Sequence, residues 1–244
     1  MNLTDLEDSG FDIQAENHAI TVLATDFAEP LHELCEILRE VRIMDYELIQ
    51  GGGGEAKSTQ RLRRSLTKRG WCKHKIEIKK IVDGIERAAI SHEIDHVRKT
   101  DNGTIALEIE WNNKDPFFDR DLDNFQRLHS EGAISAGVIV TRGDSLQRNL
   151  VQIVKTCADS HGVHRFEDLV QFGLSPTRRQ IFMVGESTED FVGAWAFRFV
   201  RDKFGNATTP WDKLITRIAR GVGNPCPLLL IGIPMQSVHQ GRIQ

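Results

Sequence analysis

No run of apolar residues in this chain approaches the ~20 needed for a membrane-crossing helix, so no membrane partner is expected. Cysteine is sparse and has no motif. Cys35, Cys72, Cys157 and Cys226 are scattered and form no CxxC pair, which speaks against a thiolate metal site or a disulfide framework and for reduced thiols. The first residues are acidic, and no basic start followed by an apolar stretch marks a secretory signal. A cytoplasmic protein is the expectation. Internal repeats are absent, and low complexity is confined to Gly51–Gly54. With 40% hydrophobic and 27% charged residues in 244, disorder is excluded and one large domain with its own core is expected over 1–244.

Basic residues are nearly missing from the first fifty positions, where 12 Asp/Glu face only Arg39 and Arg42. They return in a block. Residues 57–80 hold ten Lys/Arg, among them Arg61, Arg63 and Arg64, against the single acid Glu77. A basic patch on a chain of net charge −4 fits a polyanion bound in one cleft. A solvated helix face followed by a wet strand has the same composition.

Apolar spacing predicts helices over 30–42, from Glu55 to Gly70, over 115–129 (stripe Phe118, Leu122, Phe125, Leu128) and over 146–157. A last helix opens at a Thr209–Asp212 capping box and runs to Arg220. Strands are predicted over 74–82, 88–97, 104–111, 136–141 and 227–233. Asp101-Asn102-Gly103 joins two of them as a hairpin. Asp115 before Pro116 reads as a helix cap. The order is that of an α/β sheet sandwiched by helices.

The chemistry concentrates on the hairpin. In Thr104–Trp111, Glu108 and Glu110 share one strand face, and Asp95 precedes Glu108 by thirteen positions. Carboxylates on one face of an apolar strand are costly unless a positive charge compensates them. A hard cation such as Mg²⁺, held by Asp95 and Glu108, would do so and would suit phosphodiester hydrolysis. The plain alternative is a sheet with one wet face. A rival motif overlaps: His92-Glu93-Ile94-Asp95-His96 fits HExxH, the zinc-hydrolase pattern. It resembles peptide deformylases in wording, but their Gly-rich and Cys-bearing segments have no counterpart here. A DNA-binding protein with purely structural acids is a third reading.

An acid on one strand, a turn and an acid-x-acid strand form the pattern of the PD-(D/E)xK nuclease core. The stretch Glu93–Arg142 resembles the BglII, BstYI and BamHI group of type II restriction endonucleases. Ile94-Asp95 with Ile105–Asn113 is similar to their Asp … Val-Glu-Val-Gln-Phe run, and Ala136–Gly143 to their following strand and its exit. Trp211 and Gly221–Ile233 resemble their C-terminal end. The resemblance covers about two thirds of the chain, with 1–50 and 160–205 poorly matched.

The resemblance implies a central mixed β-sheet sandwiched by helices, with the catalytic core near 75–160 plus 207–235. It implies a Mg²⁺-dependent homodimer cutting double-stranded DNA at a short palindrome with a GATC core and leaving 5′ overhangs. Asp95, Glu108 and the Ile109 carbonyl would hold metal, Glu110 would orient or deprotonate water, and Glu55 would be an accessory acid. Most such nucleases carry Lys where Glu110 stands, so the usual cationic helper is missing at that position. Asn112, Asn113 and Lys114 follow the catalytic strand, where Asn suits adenine and Lys or Arg suits guanine. Arg142 and Arg148 would face DNA by resemblance, and Arg61 and Arg64 would meet phosphates. Helix 115–129, with Asp119, Asp121 and Asp123 near Arg120 and Arg127, would pair the subunits. Polar turn and helix-cap roles are the plain alternatives for Asn112–Lys114 and for the residues after Arg142.

Overall fold

The alternation of Ile105 and Leu107 with Ala106 and Glu108 forms a strand, and every other element is arranged around it. The computed structural model describes residues 2–51 and 54–242. Within the glycine break, Gly52 and Gly53 lie outside the described residues. In chain order the elements are α1 (Leu3–Asp8), β1 (Asp12–Glu16), α2 (Ala19–Asp26), α3 (Ala28–Arg39), β2 (Ile43–Met44), α4 (Asp45–Ile49), α5 (Lys57–Lys68), β3 (Cys72–Val82), β4 (Ile85–Thr100) and β5 (Gly103–Glu110). Then follow α6 (Pro116–Ser130), β6 (Ala136–Arg142), α7 (Asp144–Ser160), α8 (Arg178–Gly185), α9 (Phe191–Lys203), α10 (Trp211–Ala219), β7 (Leu228–Ile233) and β8 (Val238–His239).

Six strands make one mixed sheet in the order β1-β7-β6-β5-β4-β3. Strands β5, β6 and β7 run parallel, and the β3–β4–β5 meander and edge strand β1 are antiparallel. Parallel neighbours need helical crossovers, and α6 supplies the one between β5 and β6. Both faces are therefore covered. On one face α6 lays Phe118, Leu122, Phe125 and Leu128 against Ala106, Ile139, Leu228 and Leu230. On the other, α7 and α9 with the N-terminal helices cover Ile105, Leu107, Val138, Val140 and Leu229. Each fully buried side chain of this size contributes ~1.5–3 kcal/mol over an exposed one.

Two local details set the site. Thr100 pairs with Gly103, so the β4–β5 turn has only Asp101 and Asn102 in its loop. Gly103 has φ +139°, and a Cβ there would clash with Ser135 Oγ. Gly143 precedes α7, whose first N–H, on Asp144, is capped at 2.8 Å by Asp12 Oδ2 of β1. Two predicted caps act differently. The Asp115 side chain caps nothing and instead takes Arg217 at 3.0 Å. The Thr209 hydroxyl donates to the Glu110 carbonyl at 3.1 Å rather than accepting at the start of α10.

Candidate active site

Register brings the predicted acids together. β4 pairs His96 with Leu107 and Val97 with Ala106. One step further the same register sets Asp95 beside Glu108, and the Asp95 backbone N–H donates to the Glu108 carboxylate. On its other edge β4 slips against β3. The pairs Cys72–Val97 and His74–Ile94 leave Asp95 and His96 opposite Lys73 alone. Such a bulge bends the strand and re-aims a side chain. Asp95 consequently reaches the surface, while Glu108 and Glu110 stay 5% and 2% exposed on the α6 side.

Burial shapes the electrostatics there. Desolvation, then the nearby Asp121 and Asp95, push Glu108 up to about 9. Glu110 and Asp121 face each other, and burial raises both. The two carboxyl groups are in hydrogen-bond contact with each other, and Glu110 Oε2 and Asp121 Oδ2 are buried and take no other donor. Asn113 donates to Glu110, and Arg120 lies 3.7 Å from Glu110 Oε1. Among the described residues no set of three or more His, Cys, Asp or Glu already converges on one point as a ligand cage. The donor chemistry nonetheless fits a hard divalent cation: Asp95, Glu108 and the Ile109 carbonyl offer only oxygens, and a cation beside Glu108 would offset the burial that disfavours its charged form.

A groove of about 690 Å³ opens beside Asp95. It is lined also by Ile109, Glu55, Arg63, Asn113 and Lys203. Glu55 thus shares the groove with Asp95, held at 3.2 Å by Arg63. Lys203, which the sequence did not single out, donates to the carbonyls of Leu48 and Gln50 at 2.9 Å. Burial lowers it to about 8.

The candidate DNA residues separate into free and engaged groups. Asn113 and Lys114 are exposed at the exit of β5. Arg64 is exposed and donates only to Gln60 of its own helix, and Arg148, 76% exposed, pairs with Asp144 one turn back. Arg61 is clamped by both oxygens of Glu47 at 2.6 and 2.7 Å and by the Arg42 carbonyl. Arg142 is a correction. It is fully buried, and it donates to the Trp111 carbonyl, Asn112 Oδ1, Thr208 Oγ1 and Gln147 Oε1. It braces the turn after β5 from behind and offers nothing to DNA. Asn112 is engaged as well, accepting from Arg142 and donating to the Lys203 carbonyl.

Two further expectations are corrected. His92 and His96 lie on strand β4, not on a helical turn, so HExxH geometry is absent. His92 lies near Asn124 and Arg127 of α6, whereas the His96 ring is buried against the Trp71 backbone. Of the α6 acids, Asp121 is buried out of reach of a second subunit. Asp119 is taken by Arg217 at 2.8 Å, Asp123 lies 3.8 Å from Arg127, and Asp121, 1% exposed, lies under β5. The position of Asp121 was legible: it stands three after Phe118 and four before Phe125, on the apolar stripe.

The family model described as restriction endonuclease BglII/BglIII matches residues 11–233. No curated protein matches the sequence.

Proposed function

The chain belongs to the restriction endonuclease BglII/BglIII family and is a site-specific deoxyribonuclease, and from that premise we propose that it cuts double-stranded DNA with Mg²⁺ at a short palindrome with a GATC core, leaving 5′ overhangs. The observation that supports the site assignment is the β4–β5 register, which sets Asp95 beside Glu108, together with the β3–β4 bulge at Asp95, which lines the groove.

Asp95, Glu108 and the Ile109 carbonyl would hold Mg²⁺. When bound, the ion supplies charge to polarise the scissile phosphate and to make a water more acidic. Glu110, whose carboxyl is in hydrogen-bond contact with Asp121, would orient the attacking water or take its proton. Asn113 donates to that carboxylate and lines the groove, so base reading at Asn113 is coupled to the position of Glu110. Lys114 adds a donor suited to guanine. Glu55 stands as the accessory acid, and Arg64 and Arg148 meet backbone phosphates. The active species is a homodimer, because each subunit of a two-fold protein then reads one half-site and cuts one strand.

The test is a digest of DNA of known sequence, with Mg²⁺ and with chelator. Discrete fragments bearing 5′ overhangs at GATC-centred sites are expected with Mg²⁺ alone. Intact DNA in Mg²⁺, or cutting that persists in chelator, would refute the Mg²⁺ centre. A mapped site without GATC would remove the specificity assignment only.

A further inference from the structure

Glu108, Glu110 and Asp121 form an acidic cluster, and among the described residues Arg120 alone places a cation within ion-pair distance of it. The arrangement is lopsided. The acids are buried, at most 5% exposed, whereas the Arg120 side chain is 52% exposed. Arg120 uses only one edge: Nε and Nη2 reach the same oxygen, Asp121 Oδ1, at 2.8 and 2.7 Å. Its guanidinium lies over the Phe117 ring, 4.2 Å from the centroid. That edge and that ring fix the plane of the group, while Nη1 donates to no protein acceptor among the described residues. Nor does Arg120 reach every oxygen of the cluster, since Glu110 Oε2 and Asp121 Oδ2 are buried and take no donor from it. A guanidinium that serves only to neutralise buried acids would be drawn in among them. This one stays half exposed at the boundary, with Nη1 unused.

A phosphodiester is anionic and its negative charge grows as water attacks. The acids around it supply no positive charge, and Arg120 is the cation that stands beside them. We propose that Arg120 is a further catalytic residue: seated by Asp121 and Phe117, its free edge contacts a non-bridging oxygen of the phosphate being cut and stabilises the charge that develops there. Asp121 is then a positioning residue that acts through Arg120. Arg120 forms and breaks no covalent bond in this role. The inference rests on the reading of Asp95, Glu108 and Glu110 as the hydrolytic centre.

The experiment uses the full chain and a duplex carrying its mapped site, cut under single-turnover conditions. Binding is measured separately with Ca²⁺ in place of Mg²⁺. Arg120→Ala is expected to cut about 100-fold more slowly, the scale of losing one donor at a developing charge. Its affinity for the duplex in Ca²⁺ should change far less. Arg120→Lys keeps the charge without the planar fork and should recover part of the rate, and Asp121→Asn should slow cutting in the same direction. The decisive readout is a single phosphorothioate at the cleaved phosphate. If Arg120 touches that group, the sulfur defect and the Arg120→Ala defect combine to less than their product; a purely structural loss would leave them multiplicative. Should Arg120→Ala lose its cooperative melt, Arg120→Gln carries the same readouts. Wild-type rates in the variants, or fully multiplicative defects, overturn the role of Arg120. A wild-type protein that cuts no DNA in any divalent cation overturns the hydrolytic reading itself, an outcome visible before any variant is made.

Discussion

Single side chains on β4 and β5 owe their roles to which way they face. Asp95 is turned out at the bulge, Glu108 and Glu110 are turned in, and His96 is 1% exposed in the core. Asp95→Ala and Glu108→Ala should each abolish cutting while leaving duplex binding in Ca²⁺ measurable, because binding rests on phosphates and bases and not on the acids. Wild-type cleavage in either variant would show that the metal ligands are misassigned. His96 governs a different property. Burial lowers it from 6.5 to about 4, so between those values the unfolded chain holds the extra proton. Its contribution is complete above pH 6.5 and is lost as the pH falls toward 4, a change of ~3 kcal/mol by linkage. His96→Leu should accordingly flatten the fall in melting temperature between pH 6.5 and 4, with Mg²⁺ absent. An equally steep fall in the variant would assign the acid sensitivity to other groups.

Elements with a strong period were legible in the sequence. The hairpin, α5, α6, α7 and the buried strands β6 and β7 lie within a few residues of their expected bounds, because their apolar spacing and turn residues act locally. What was not legible depends on distant partners. β1 has no strong alternation and exists as an edge on β7, and the bulge at Asp95 appears only when β3 is laid beside β4. The acids of the site were legible from their shared strand face, whereas the burial of Arg142 was not, since a Lys/Arg-Gly exit from a strand reads alike whether it faces DNA or the core. The structure makes Arg142 a brace between β5, β6 and the segment before α10. Arg142→Met would leave the buried Trp111 carbonyl and Asn112 without their donor, a cost of ~1–3 kcal/mol for each group left unsatisfied. A sharply lower melting temperature is expected, with no change in the salt slope of DNA binding. A slope reduced by about one unit, the signature of a lost phosphate contact, would restore Arg142 to the DNA surface.

At the scale of the whole molecule, an acidic chain carries its positive charge in one block, residues 57–80, and α5 of that block borders the groove that holds Asp95. Arg61 is clamped by Glu47 and Arg63 pairs with Glu55, which leaves Lys57, Arg64 and Lys68 to present the field on that helix. A palindrome cut on both strands calls for two such grooves related by a two-fold axis. On α6, Asp119 is met by Arg217 and one oxygen of Asp121 by Arg120 within the chain, while Asp123 and Arg127 stay exposed 3.8 Å apart. If α6 contributes to the pairing, it does so through shape and apolar contact with few cross-subunit ion pairs. Two outcomes follow for the salt dependence. Dimerisation should be nearly insensitive to salt, since exposed ion pairs are what screening weakens. Duplex binding should weaken steeply, with a slope near −0.9 per phosphate contacted. Sedimentation of the free protein from low to high salt, beside duplex titrations in Ca²⁺ over the same range, measures both. A dimer that dissociates as salt rises would place ion pairs at the interface, and a monomer both free and on its duplex would refute the two-fold enzyme.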